Sequence, residues 1–194
     1  MNKNPSYPAL LAETLWPWAG VGREVALVLG GSWLMALLAQ VQVPLWPVPV
    51  TGQTFGVLLI GALLGRKRAA WSMLTYLAQG FLGLPVFAGA SSGIGRLIGP
   101  TGGYLLGFVV AAYVVGWLNE LGWGQRFWSA LVALFIGDLC IYGMGLPWLA
   151  GFVGWPSVLQ VGFFPFVVGD ALKLALAALL LPGGWALLHL RRPE

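Results

Sequence analysis

Residues 158–181 read VLQVGFFPFVVGDALKLALAALLL, an apolar run interrupted by Gln160, Asp170 and Lys173. It exceeds the about 20 residues that a helix needs to cross a ~30 Å hydrocarbon core, so it predicts a membrane-spanning helix. A charged side chain near the bilayer centre costs ~2.5–3.5 kcal/mol on insertion scales, which makes both ionisable residues expensive. Positions three apart share a helix face, so Asp170 and Lys173 present an acceptor and a cation together. A neutralising pair that only packs this helix against its neighbours would explain them. Intramembrane ionisable groups mark function more often than packing, and the functional reading is preferred.

The rest of the chain has the same character. Of 194 residues, 59% are hydrophobic and 8% charged, with a mean hydropathy of +0.84. A soluble domain is about a quarter charged. The fold class predicted is all-α, a polytopic membrane protein with six transmembrane helices over about 25–40, 53–64, 69–82, 102–118, 127–146 and 158–181. The second and third are short for the hydrocarbon core. Residues 1–22 read as an interfacial segment with Trp16 and Trp18 at headgroup level. They do not read as a cleaved signal, because Pro5, Pro8, Glu13 and Pro17 interrupt them. Residues 23–182 form the membrane domain, and 183–194 a short basic tail.

An even number of spans puts both termini on one side. That side receives Lys3, Arg23, Arg66, Lys67, Arg68, Arg126, Arg191 and Arg192, against Arg96 alone on the other. The positive-inside rule then makes both termini cytoplasmic. The outer loops are apolar and rich in Pro, Gly and Trp: loop one over 41–50, loop three over 84–100, and loop five over 147–156 with Trp148 and Trp155. Such loops suit a lid better than a solvated linker.

Several chemistries are excluded or disfavoured. One cysteine, Cys140, leaves no internal disulfide or multi-cysteine metal site, and one histidine, His189, argues against a histidine triad or metal cluster. None of the lysines, Lys3, Lys67 and Lys173, follows a glycine, so there is no P-loop for ATP. Neither H-E-x-x-H nor G-x-S-x-G occurs. No cofactor or metal is expected.

The candidate binding residues converge on the outer side. Asp138 lies midway along the fifth segment; it can bind ligand, relay a proton or pair with Lys173, and pairing ranks slightly first. Arg96 sits in a flexible Gly/Ser loop; it is either an idle surface charge or a grip for a carboxylate. Thr51 is a candidate helix cap, which leaves Gln53 to be explained by a role facing the bundle. Tyr104 follows glycines that allow close backbone approach and adds a ring with a polar tip. On the first segment, Ala26 with Gly30 and Ser32 with Ala36 form small-residue stripes. They serve either internal packing or docking against another membrane protein.

The segments Pro47-Val-Pro-Val-Thr-Gly-Gln-Thr54, Leu84-Pro-Val-Phe-Ala-Gly89, Gly99-Pro-Thr-Gly-Gly-Tyr-Leu-Leu-Gly-Phe108 and Gly169-Asp-Ala-Leu-Lys173 together resemble the BioY family. These are the biotin-specific substrate-binding S components of energy-coupling factor (ECF) transporters. The resemblance implies a six-helix S-component bundle that binds biotin near the outer face. It also implies a transmembrane coupling protein (T component) and two cytoplasmic ATPases as partners, in a bacterial cytoplasmic membrane. It places Asp170 and Lys173 at the ureido end of biotin, where urea N–H groups suit a carboxylate and the urea carbonyl suits an ammonium. Arg96 is the candidate donor to the ligand carboxylate, with Gln53, Tyr104 and Thr51 as further contacts. S components are expected to dock through an Ala-x-x-x-Ala stripe on helix one. This chain has only Ala26/Gly30 and Ser32/Ala36 there. Two alternatives remain: an S component for another small vitamin, or an intramembrane enzyme using Asp138 and Asp170.

Overall fold

In the computed structural model, residues 10, 12, 13 and 20–190 are described, with side chains to Gly184. The expected interfacial stretch with Trp16 and Trp18, the basic residues Lys3, Arg191 and Arg192, and the side chain of His189 lie outside the described residues. The chain forms α1 (Val21–Gln40), a short ladder of β1 (Gln42–Val43) with β2 (Val50–Thr51), α2 (Gln53–Leu64), α3 (Arg66–Phe81), α4 (Ile94–Ile98), α5 (Gly102–Glu120), α6 (Phe127–Val153), α7 (Trp155–Gly162) and α8 (Phe164–Leu190). The ladder is antiparallel, pairing Gln42 with Thr51 and Val43 with Val50. It turns loop one into a small hairpin, and a single antiparallel bridge between Phe87 and Ser91 in loop three is the other extended pairing among the described residues.

Four helical stretches are long and apolar enough to cross a membrane: Val21–Gln40, Gly102–Glu120, Phe127–Val153 and Trp155–Gly184, the last running across α7 and α8. The protein is therefore a multi-pass membrane protein. α2 is apolar, but its 12 residues reach only about 18 Å. α3 carries Arg66, Lys67 and Arg68 in its first turn.

α5 is the central helix, packed on α2, α3 and α6. Its inward positions are small, Ala111, Ala112 and Val115, all fully buried. Small side chains let helix backbones approach closely where lipid offers no hydrophobic drive for association. Gly116 marks one close approach: a Cβ there would collide with the backbone N of Arg66, at the turn where Gly65 (φ 80°) joins α2 to α3. Ion pairs tie this same end together. Glu120 accepts from the Arg66 backbone N–H at 2.9 Å and pairs with its guanidinium at 3.1 Å. Arg68 donates to both oxygens of Glu24, at 2.6 and 2.9 Å, and to Glu13 at 3.0 Å.

α2 has the limits expected of it, and α5 and α6 begin where expected. α1 and α3 start earlier than expected, at Val21 and Arg66, and three larger departures concern the last two segments. The fifth helix does not stop at residue 146: α6 runs through Pro147 to Val153, so the expected loop five is largely helix. An interior proline is tolerated in membrane helices because neighbouring groups satisfy the freed backbone. Here Trp148 Nε1 also ties the extension to the Gly99 carbonyl at 2.9 Å. The 158–181 run is not one continuous helix; it breaks at Phe163 (φ −129°, ψ −63°), and Pro165 opens α8 where its missing N–H matters least. α8 continues to Leu190, so residues 183–190 of the expected basic tail are helical.

Candidate functional site

The end of the bundle away from the Arg66–Glu120 and Arg68–Glu24 pairs holds a partly open cavity of about 60 Å³. Its floor and walls come from α2, α5, α6 and α8, and its rim from loops one and three. Asp170, Asp138, Arg96, Gln53, Thr51 and Tyr104 all line it. The structure thus gathers residues separated by more than a hundred positions into one site.

Asp170 is the hub. It is 3% exposed, and both its oxygens are held: Oδ1 accepts from Lys173 Nζ at 2.9 Å, and Oδ2 from the Tyr142 hydroxyl at 2.5 Å. The first contact is the i, i+3 pair expected from spacing. The second joins α8 to α6 and was missed. A signal existed, since Tyr142 lies four residues after Asp138 on the same helix face. The Tyr142 ring is held edge-on by Phe163 (5.0 Å between centroids) and Tyr104 (6.3 Å).

Asp138 is not paired with Lys173, which corrects the ranking given to that role. It is buried at 6% exposure, and its Oδ1 has no hydrogen-bond partner. Such an unmatched group costs ~1–3 kcal/mol, more when charged. Thr51 is not the cap of α2 either: Gly52 holds that position. Instead the Thr51 hydroxyl accepts the Gln53 backbone N–H at 3.2 Å and donates to Gln53 Oε1 at 3.0 Å. Gln53 Nε2 then donates to the Tyr76 hydroxyl at 2.8 Å. The amide is thereby fixed in the wall. Tyr104 presents its ring to the cavity and donates its hydroxyl to the Gly162 carbonyl at 2.8 Å, at the α7–α8 junction.

Arg96 sits on α4 at the rim, exposed, with no carboxylate paired to it among the described residues. Loop three is anchored from α1. Gln40 Nε2 lies 3.2 Å from the Phe87 carbonyl, and Gln40 Oε1 accepts the Ala90 N–H at 2.9 Å. Phe87 thereby reaches the cavity wall, where its ring packs edge-on to Tyr76 and against Gly80; a Cβ at Gly80 would collide with it. Loop one is less closed. Trp46, after which the cis Trp46–Pro47 bond falls, is 86% exposed.

The small-residue stripes of α1 divide. Ser32 and Ala36 are buried and face the bundle, with Ser32 within 3.4 Å of Gln79 Nε2 on α3. They are packing residues, contrary to the docking role given them. Ala26 and Gly30 face outward. Among the described residues no group of His, Cys, Asp or Glu could hold a metal ion.

The model of the BioY family matches residues 11–190. A probable biotin transporter BioY of Pyrococcus horikoshii is 42% identical over 159 residues, covering 81% of this chain and 93% of the relative. This chain belongs to the BioY family. The family's biotin transporter BioY of Thermotoga maritima is 39% identical over 160 residues, covering 82% and 89% of the two chains. The fold matches a solved structure, the 2.1 Å crystal structure of the S-component for biotin from an ECF-type ABC transporter. That match has a TM-score of 0.72 and 23% identity, over 91% of this chain and 96% of the other. The bundle therefore has the S-component fold, and the relatives named are transporters, not enzymes.

Proposed function

We propose that the protein captures biotin from outside the cell and delivers it inward as the S component of an ECF-type transporter. The observation that carries this reading is the Lys173–Asp170–Tyr142 cluster, in which buried Asp170 and Tyr142 line a largely apolar cavity and half-buried Lys173 is held to Asp170, in a chain whose relatives are named biotin transporters. The cluster offers what a urea needs: an ammonium with donors to spare for the carbonyl, and a carboxylate with lone pairs to spare for an N–H. The apolar wall suits the fused rings, and Arg96 at the rim suits the carboxylate of the valeryl chain. Gln53, Thr51 and Tyr104 shape the wall between them.

α2 and α3 are inserted with the longer helices, giving six spans with both termini cytoplasmic, and the ion-paired end faces the cytoplasm. Membrane residence is in the cytoplasmic membrane. Energy comes from partners, a T component and two ATPases, docked on the outward small residues Ala26 and Gly30 of α1. Loops one and three close over the loaded pocket. Residues 23–182 are the working membrane domain on this reading.

Titration of the detergent-purified chain with biotin, followed by tryptophan fluorescence or calorimetry, tests it. Nanomolar binding that disappears in Lys173→Ala is expected. A monodisperse protein that ignores biotin overturns the reading.

A further inference from the structure

Asp138 is the cavity-lining carboxylate that the fold leaves unmatched. More than nine-tenths of it is buried, and Oδ1 has no donor. Lys173, half-buried and not itself among the residues lining the cavity, donates to Asp170 Oδ1, and the Tyr142 hydroxyl, one turn along α6 from Asp138, donates to Asp170 Oδ2. Two carboxylates on two different helices thus line one cavity, one already holding a protein donor on each oxygen and one with no donor on Oδ1. Buried polar groups in native proteins are nearly always satisfied, so an unmatched one in a cavity wall points to a partner that arrives from outside. The missing partner must be a hydrogen-bond donor.

We propose that Asp138 accepts one ureido N–H of the ligand and is the residue that makes the site demand that N–H. The inference rests on the biotin reading above. A urea carries two N–H groups that point apart, so acceptors on separate helices suit them. Asp138 on α6 takes one and the spare lone pair of Asp170 on α8 the other, while Lys173 keeps donors for the carbonyl. A site with a buried acceptor rejects an analogue lacking the donor far more strongly than an apolar wall would, because the carboxylate then stays unpaired.

The experiment is a titration of the purified chain with biotin and with its two mono-N-methyl ureido analogues. Wild type, Asp138→Ala and Asp138→Asn are compared, and thermal unfolding of each is measured without ligand. Wild type is expected to discriminate against the methylated analogues by at least ~100-fold. Asp138→Ala should bind biotin at least ~10-fold more weakly and accept one methylated analogue as well as biotin, with an unfolding temperature no lower than wild type. Asp138→Asn, of equal size, keeps a neutral acceptor and should lose less, since charge-assisted bonds are about twice as strong. Equal weakening toward biotin and both analogues, or unchanged biotin affinity, overturns the proposal alone. A wild-type chain that binds no biotin overturns the underlying reading, and this inference with it.

Discussion

The Tyr142 hydroxyl donates to Asp170 Oδ2 at 2.5 Å across 28 positions of sequence, tying the middle of α6 to the first third of α8. With Lys173 on the other oxygen, the carboxylate plane of Asp170 is fixed before any ligand arrives. Orientation settled in advance is what lets a small polar group bind tightly, because little entropy remains to be lost.

Tyr142→Phe should keep the fold, since the ring contacts with Phe163 and Tyr104 survive. It removes one bond to a buried charge, worth ~1.5–3 kcal/mol. Biotin affinity should fall by about tenfold or more, read by calorimetry. Unchanged affinity would mean that Tyr142 only braces the two helices.

Lys173→Ala leaves Asp170 buried with a single partner. Breaking a buried pair from one side costs ~3–5 kcal/mol, so the unfolding temperature should drop along with biotin binding. The double variant Asp170→Asn with Lys173→Met has no orphan charge. It should recover most of the stability and none of the binding. Recovery of both would show that the pair is packing, not recognition.

How much of this was legible follows from the reach of each signal. The limits of α2 and the Asp170–Lys173 pair depend on neighbours a few residues away, and the sequence carried them. The continuation of α6 through Pro147 did not follow from local rules, because proline normally ends a helix in water and only the packed surroundings relax that. The role of Asp138 depends on which way Lys173 turns, a choice between two carboxylates on different helices that spacing cannot express. Ser32 and Ala36 announced a close approach correctly, but small size does not say which neighbour approaches; it is α3, where a Cβ on the adjoining Gly31 would press on Ser72.

Arg96→Ala should weaken biotin but not biotin amide, which lacks the anionic carboxylate. While the guanidinium stays exposed the pair is worth only ~0.2–1 kcal/mol, and a larger loss means that the loops exclude water once closed. The loss should shrink as salt is raised, since an exposed pair is screened over about 10 Å at 0.1 M. Equal losses for acid and amide would move the carboxylate elsewhere.

Gln40→Leu tests the lid. Gln40 stands at the last position of α1 and holds loop three at both ends of its amide, toward Phe87 and Ala90. Each bond is worth ~0.5–1.5 kcal/mol, so losing two frees a loop whose Phe87, Ala88 and Ser91 line the cavity. Biotin still enters the looser site, and affinity changes within one interface fall mostly on dissociation. Stopped-flow displacement should show release about tenfold faster, with association altered much less. If release is unchanged while the unfolding temperature falls, Gln40 supports the bundle and the loop does not gate the ligand.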